Sequence, residues 1–233
     1  MAGLRALRDA GVARGFEQSK ETFIGARGDV PLLLVQGPPG TGKSFTTAYA
    51  ILARLQGAMA AELPFRVAAG AKTHAATDVL LEHILDARLH LASVAESHPD
   101  LFDEYFDRRL LSVPLFRLQG REELTSGITR IFAKGRRPKD QPRVAALLRG
   151  IDFAIVATTP GGIYAAASDE KSLFDHPVFN LLVLDEASQL SLPESIMAAL
   201  MLAMDGQVVI VGDHRQMAPI VKHDWDNETR RTF

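Results

Sequence analysis

A glycine-rich segment between an apolar run and a helical pattern carries the clearest chemistry in the sequence. It comprises Gly37, Pro38, Pro39, Gly40, Thr41, Gly42, Lys43 and Ser44, which matches a phosphate-binding loop. Its glycines let backbone N–H groups face a polyphosphate, and the helix that follows adds its positive N-terminal dipole. We expect Lys43 to reach the β- and γ-phosphates of a nucleotide and Ser44 to bind Mg²⁺. A flexible Gly/Pro turn is the alternative, and the flanking elements argue against it.

Polar side chains follow two other apolar runs. Asp185 and Glu186 come directly after NLLVL, and Gln216 lies just beyond VVIVG. Phosphoryl transfer needs a carboxylate near the metal and a group that orients or deprotonates the attacking water. We therefore expect Asp185 in the magnesium shell, Glu186 at the water, and Gln216 at the γ-phosphate or the water. Solvated turns are the alternative interpretation of both segments.

The elements that position these residues alternate between strand and helix patterns. Six apolar runs, at 30–36, 65–71, 113–119, 153–159, 178–186 and 207–213, predict strands. Helical spacing predicts helices over 43–58, 73–93 and 191–204, the last beginning at a Ser191–Glu194 capping-box pattern. Several runs are continuously apolar, as in strands covered on both faces. The predicted fold class is α/β, with a parallel sheet between layers of helices.

Composition excludes several classes of protein. The 233 residues are 47% hydrophobic and 23% charged, with no cysteine, so a disulfide framework and thiolate zinc sites are excluded. The apolar runs are too short for a membrane helix, and the N-terminus lacks the apolar core of a signal peptide. We expect no membrane partner and a reducing compartment, the cytoplasm or a nucleus. Lys and Arg outnumber Asp and Glu by 21 to 16 in 1–150, and the balance reverses to 5 against 12 in 151–233.

Taken in order, the motifs resemble those of superfamily 1 helicases, most closely the Upf-like branch that includes nonsense-mediated-decay, senataxin-like and Dna-type helicases. GPPGTGKS resembles motif I, AKTHAATDVLLEHI motif Ia and VATTPGGIY motif Ic. LLVLDEASQLSLPES resembles motif II and VVIVGDHRQMAPIV motif III, so that the likeness covers roughly residues 14–222. It implies a RecA-like P-loop NTPase fold that uses ATP and Mg²⁺.

The resemblance also implies roles for residues outside the phosphate loop. GFEQSK resembles the Q motif, in which Gln18 would recognise adenine. Thr73 and His74 in motif Ia, with Thr158 and Thr159 in motif Ic, would contact the backbone of single-stranded DNA or RNA. Considered without the resemblance, the same threonines are ordinary helix-cap and turn residues. His74 departs from the sequence that motif Ia commonly has.

The likeness implies a domain organisation as well. Residues 1–233 would be the first RecA-like domain, with an accessory insertion at about 94–150, and a second RecA-like domain would be absent from this chain. Within the insertion, Lys134, Arg136, Arg137 and Lys139 form either a nucleic-acid contact or a solvated loop. Because a finger arginine from the second domain is worth about 10³–10⁵-fold in turnover, the chain alone should hydrolyse ATP poorly. Family analogy gives 5′ to 3′ polarity.

Two alternatives to a helicase motor remain open from the sequence. An AAA-type ATPase also has a P-loop and an Asp-Glu pair, although the strand at 207–212 ends in Gly-Asp rather than the polar sensor residue expected there. A nucleotide-binding module that does not hydrolyse ATP is the other. Lys43, Ser44, Asp185 and Glu186 argue against it, since each has a role in hydrolysis.

Overall fold

Parallel strands dominate the fold in a computed structural model that describes residues 1–13, 15–26, 30–120, 124–170 and 176–216. The strands are β1 Leu32–Gln36, β2 Phe65–Gly70, β3 Leu115–Leu118, β4 Ile128–Ile131, β5 Phe153–Ala157, β6 Phe179–Leu184 and β7 Leu202–Gly212. The α-helices are α1 Ala2–Asp9, α2 Gln18–Ile24, α3 Lys43–Ala60, α4 His74–Ser97, α5 Pro99–Tyr105, α6 Val144–Arg149, α7 Pro160–Ser168 and α8 Leu192–Ala198. Short 3-10 turns occupy Arg108–Ser112 and Ala187–Gln189.

The strands form one sheet in the order β1-β7-β6-β2-β5-β3-β4, and every neighbouring pair is parallel. In a parallel sheet all strands end at the same edge, which is where open α/β sheets bind ligands. The loops after β1, β2, β5, β6 and β7 contain the five predicted motifs. The α/β class and the parallel sheet predicted from the sequence are confirmed.

Each face of the sheet has its own core. One cluster joins α3, α4 and the N-terminal helices to side chains such as Val67, Leu181 and Val209. The other joins α6, α7 and α8 to the opposite faces of the same strands, through Leu182 and Val156 among others. Burial on both faces explains why the central strands read as continuous apolar runs. Within the described residues, no helix combines the length and apolarity needed to cross a membrane.

All six predicted strands are present, but the helix predicted over 191–204 is wrong beyond Ala198. Glu194 closes the predicted cap, since its carboxylate accepts from the backbone N–H and the hydroxyl of Ser191, both at 2.8 Å. The chain then turns into β7, and Met201 O accepts the backbone N–H of Phe179 at 3.1 Å. Met204, which helical spacing would place in the core, is fully exposed. Strand pairing overrides the helical pattern here.

In the described parts of 94–150, two strands join the main sheet. β3 pairs with β5, and β4 extends the sheet beyond β3 as its last strand. α5 and the 3-10 turn precede β3, and α6 leads back to β5. This part of the chain therefore widens the sheet on the side away from the phosphate loop.

Candidate functional site

The loop between β1 and α3 has the backbone that a phosphate site requires. Gly40 and Gly42 both have φ +75°, a left-handed conformation that costs other L-residues about 1–2 kcal/mol. Gly42 is the N-cap of α3, which begins at Lys43. The loop therefore turns directly into a helix N-terminus, where unpaired N–H groups and the helix dipole favour an anion.

Lys43 holds this loop together through two of its carbonyl groups. Its ammonium donates to Gly37 O at 2.8 Å and to Pro38 O at 3.0 Å, and the hydroxyl of Thr41 also donates to Pro38 O. An ammonium has three N–H donors, so these two carbonyls leave one for a phosphate oxygen. The lysine is thus already directed at the loop that it is expected to neutralise.

Motif II places two acidic residues at the end of β6: the buried Asp185, and Glu186, whose backbone is strained. Asp185 is 2% exposed, and its Oδ1 accepts from the backbone N–H of Glu186 at 2.9 Å. Glu186 has φ +49° and ψ +37°, and its Oε2 is buried without a hydrogen-bond partner. Left-handed backbone at a non-glycine residue and an unsatisfied buried oxygen each cost about 1–3 kcal/mol. Such costs concentrate at functional sites, as expected for a residue that binds water or substrate.

Motif III follows β7 and lies between the phosphate loop and motif II. Gly37 N–H donates to Gly212 O at 3.2 Å. On its other side Gly212 packs so tightly that a Cβ would lie 3.2 Å from Ser188 N. The turn beyond it is held by Asp213, whose carboxylate accepts from Arg215 N–H and whose carbonyl accepts from Gln216 N–H, both at 3.0 Å. Gln216 is half-buried at the edge that carries the other motifs. Residues 217–222 of the motif III likeness lie outside the described residues.

Motif Ia forms the N-terminus of α4. The hydroxyl of Thr73 accepts from Ala76 N–H at 3.1 Å as the helix N-cap. Thr77 donates to Thr73 O at 2.8 Å and so fixes the first turn from inside. His74 begins the helix and is half-buried. The interpretation of Thr73 as a helix cap is therefore confirmed. A contact between Thr73 and a nucleic-acid strand stays a prediction.

Thr73→Ala is expected to cost about 1 kcal/mol of stability, because the mutation removes an N-cap acceptor. For a domain of this size, that corresponds to a fall of about 2–4 °C in melting temperature. Thr73→Ser is the matched control, since it keeps the oxygen and should melt close to the unmodified protein. Equal losses for alanine and serine, measured by thermal denaturation, would contradict the capping role.

Motif Ic lies beside motif Ia, where β5 ends. Thr158 and Thr159 are 4% and 8% exposed, and Thr159 is the N-cap of α7, accepting from Gly162 N–H at 3.3 Å. Thr158 N–H donates to Ala69 O at 2.9 Å. Gly70, the last residue of β2, accepts from Asp185 N–H at 2.8 Å. One strand end therefore contacts both motif II and motif Ic.

Lys72 adds a polar link between motif Ia and the segment after motif II. Its ammonium donates to Gln189 O at 2.9 Å and pairs with Glu194 at 3.3 Å. Burial acts to raise the pKa of Glu194, but hydrogen bonds from Ser191 and the pairing with Lys72 outweigh it and leave that pKa below its usual value. The carboxylate therefore stays ionised and keeps both the α8 cap and the lysine in place.

An aromatic cleft of about 560 Å³ opens beside the phosphate loop. Gly42, Phe16, Phe45 and Tyr49 all line it, and the Phe16 and Tyr49 rings meet edge-on at 5.1 Å. Burial raises the pKa of Tyr49 to about 12, so its phenol stays protonated. Gln18 is exposed at the start of α2 and is not among the residues lining this cleft, although Glu17 and Lys20 on either side of it are. The structure therefore brings the predicted Q-motif segment, rather than the glutamine side chain itself, to the phosphate loop.

The basic loop at 134–139 is partly neutralised. Arg137 pairs with Asp169 at 3.0 Å and donates to Gln141 O at 2.8 Å, whereas Lys134, Arg136 and Lys139 are exposed. One of its four cations therefore holds the loop against the end of α7. The remaining three are oriented to solvent.

Sequence reasoning missed the importance of Arg117 and Gly70. Arg117 stands inside the apolar run 113–119, and a charged residue in such a run signals a buried side chain that needs partners. Gly70 ends an apolar run and carries no comparable signal, because its role depends on which strand lies beside it. Gly70 ends β2, which leads into motif Ia, and Arg117 lies on β3 directly beside Ala157 of β5, which leads into motif Ic.

Comparisons with known proteins agree with this geometry. The family model described as an AAA domain matches residues 24–222. ATP-dependent helicase NAM7 of Saccharomyces cerevisiae is 28% identical over 210 residues, which cover 82% of this chain and 19% of that protein. The DNA replication ATP-dependent helicase/nuclease DNA2 of Mus musculus is 28% identical over 191 residues, covering 81% of this chain and 14% of that protein.

A solved structure supports the fold independently. The S. cerevisiae Dbp5 chain, bound to Nup159, Gle1, IP6 and ADP, superposes with a TM-score of 0.50 at 14% identity. The superposition covers 90% of this chain and 45% of that one. The chain itself spans less than a fifth of the length of NAM7 and of DNA2. Over residues 24–222, therefore, the chain belongs to the AAA domain family and is a RecA-like P-loop domain related to the Upf1-type superfamily 1 helicases.

Proposed function

We propose that this domain binds ATP with Mg²⁺ and forms the first of two RecA-like halves of a motor that acts on single-stranded nucleic acid. One observation carries the proposal. Backbone hydrogen bonds join Gly37 to Gly212, Asp185 to Gly70 and Thr158 to Ala69, and Gly212 approaches the backbone of Ser188 in motif II closely. We expect a change at the nucleotide to reach the residues of motifs Ia and Ic by this route.

In this proposal the chain's own residues divide the chemistry of ATP hydrolysis. Lys43 uses its third N–H, and exchanges one loop carbonyl, to contact oxygens of both the β- and γ-phosphates. Glu186 orients the attacking water and accepts its proton, and Gln216 hydrogen-bonds the water or the γ-phosphate. The unpaired Oε2 of Glu186 supports its role, because a water there would satisfy a buried acceptor.

The residues present fit a magnesium ion. Ser44 offers a hydroxyl and Asp185 a carboxylate, both oxygen donors of the kind that Mg²⁺ prefers, and Mg²⁺ usually completes its shell with waters and phosphate oxygens. Asp185 is held ready for this by the N–H of Glu186. The ion would neutralise charge on the transferred phosphate.

The aromatic cleft is the proposed site of the adenine ring. Gly42 forms part of both the phosphate loop and the cleft wall, and Phe16 and Phe45 offer ring faces and edges for stacking. Gln18 would reach the base edge from the first turn of α2. Its exposed position requires the side chain to fold over the cleft when the nucleotide binds.

The nucleic-acid strand would cross the edge of the β-sheet at Thr73, His74, Thr158 and Thr159. Hydroxyl, ring N–H and backbone groups suit phosphate contacts that carry no sequence information. One relative is by name a DNA replication helicase/nuclease, so DNA is a candidate strand beside RNA. A second RecA-like domain would supply finger arginines and the rest of the track, with 5′ to 3′ polarity by family analogy.

The proposal is tested by ATP turnover with Mg²⁺ while single-stranded DNA or RNA is titrated at low salt. We expect ATP to bind, one strand to bind with an affinity that falls as salt rises, and turnover to remain weak without finger arginines. Absence of ATP binding, or of binding to either strand, would overturn it. Assembly into hexamers on adding ATP would instead favour a hexameric AAA-type ATPase over a two-domain helicase motor.

Glu186→Gln is expected to keep ATP affinity within about twofold, because the amide preserves shape and Glu186 is not expected to hold phosphate. Any turnover measured in the unmodified chain should disappear, since an amide cannot accept the proton of water. Binding is measured by calorimetry and turnover by phosphate release. Glu96→Gln, which removes a similar charge from the exposed C-terminal end of α4, is the control and should keep the turnover. Retained hydrolysis in Glu186→Gln would remove this residue from the mechanism.

A further inference from the structure

Arg117 is the one arginine in the described core with a completely buried side chain, and it lies at the end of β3 beneath motif Ia. Its five N–H groups make five hydrogen bonds. The Nε donates to Asp78, Nη1 donates to Leu118 O at 3.0 Å and Ala157 O at 3.3 Å, and Nη2 meets His74 Nδ1 at 3.0 Å and His74 O at 3.3 Å. A buried guanidinium is tolerated only with partners of this kind.

This arrangement selects one form of the His74 ring. A guanidinium has only donors, so the Nδ1 that faces it has to accept. The ring proton then resides on Nε2, and a second proton on Nδ1 would oppose the adjacent positive charge. His74 therefore presents its ring N–H on the side away from Arg117.

The guanidinium is itself anchored by groups that do not depend on His74. Leu118 and Ala157 contribute backbone carbonyls from β3 and β5, and Asp78 contributes a carboxylate one turn further along α4. The histidine ring is consequently fixed relative to β5, whose next residue is Thr158. Residues of motif Ia and of motif Ic therefore both contact the Arg117 side chain.

We propose that Arg117 is a positioning residue that fixes the ring and tautomer of His74 for contact with the nucleic-acid backbone. The inference rests on the proposed strand-binding role of motif Ia. Arg117 acts from inside the protein, and His74 makes the contact. Lysine cannot replace Arg117. Its ammonium is a point charge without the planar fork of a guanidinium, so it cannot contact Asp78, two carbonyls and the His74 ring at once.

Strand binding by Arg117→Lys tests the proposal. We expect an affinity about five- to tenfold weaker, in line with one misplaced hydrogen bond, and an unchanged ATP affinity. His74→Ala should weaken strand binding similarly, and Arg117→Lys should add less than about twofold in the His74→Ala background, because coupled residues are not additive. Arg88→Lys is the matched control. Arg88 donates to Val113 O at 2.6 Å and lies about 20 Å along α4 from His74.

A second measurement is independent of strand binding. In ¹⁵N-labelled protein, the imidazole signal that disappears in His74→Ala should report a neutral ring with its proton on Nε2, and should change in Arg117→Lys. A cationic ring or a proton on Nδ1 in the unmodified protein would overturn the inference even if Arg117→Lys fails to fold. Equal effects of Arg117→Lys with and without His74 would also overturn it. If the unmodified protein does not bind single-stranded nucleic acid at all, the proposed function is refuted instead.

Discussion

Lys43→Ala is expected to abolish measurable ATP binding. Each charge-assisted hydrogen bond between an ammonium and a phosphate oxygen contributes about 1.5–3 kcal/mol, and Lys43 is expected to contact both the β- and γ-phosphates. Losing both contacts amounts to a loss in affinity of about 100-fold or more. The loop also loses the two contacts from Lys43 to the carbonyls of Gly37 and Pro38 that hold it together. The predicted effect therefore combines lost attraction with a less ordered loop.

Calorimetric titration with ATP and Mg²⁺ measures this loss. Lys134→Ala removes the same side chain from an exposed loop after β4 and should leave ATP affinity unchanged. Melting curves without nucleotide separate a binding defect from unfolding, because Lys43 is only half-buried and its removal should not unfold the domain. Equal ATP binding by Lys43→Ala and Lys134→Ala would refute the phosphate-site assignment.

The local parts of the fold and site could be predicted from sequence because each has its cause within a few residues. The phosphate loop depends on glycines that adopt positive φ and on the start of the helix that follows, and eight consecutive residues contain both. The central strands are apolar runs because both faces of the sheet are covered there, whereas the edge strand β1 leaves Leu32 and Leu34 exposed. The parallel arrangement then brings motifs that are far apart in sequence to one edge.

Features that depend on neighbouring strands were not predictable in the same way. β4 contains only Ile128–Ile131, with Arg130 in the run, and it becomes a strand by pairing with β3. The helix predicted beyond Ala198 yields to pairing of Met201 with β6. Arg117 depends on partners contributed by α4 and β5, and the Gln18 side chain depends on how α2 is oriented. Each outcome follows from tertiary contacts that override local preference.

Gly70→Ala is expected to cause a large loss of stability, because no space exists for a side chain at the end of β2. A Cβ at this position would lie 1.7 Å from Thr158 O, about half of an ordinary contact distance. The obstruction is backbone, so a rotamer change cannot relieve it, and either β2 or motif Ic has to move. Overpacking of this kind costs about 3 kcal/mol or more, which corresponds to about 6–12 °C in melting temperature.

The same displacement should reach function, because Gly70 O accepts the backbone N–H of Asp185 while its Cα packs against Thr158. We expect Gly70→Ala to weaken strand binding and ATP binding together, measured below its melting temperature. Gly57→Ala is the matched control. Gly57 is exposed within α3 with nothing within 4 Å of an added Cβ, so alanine should stabilise by about 0.5–1 kcal/mol. If Gly70→Ala melts as high as Gly57→Ala, β2 and β5 do not approach as closely as described, and the proposed route between the ATP site and the strand contacts loses its central link.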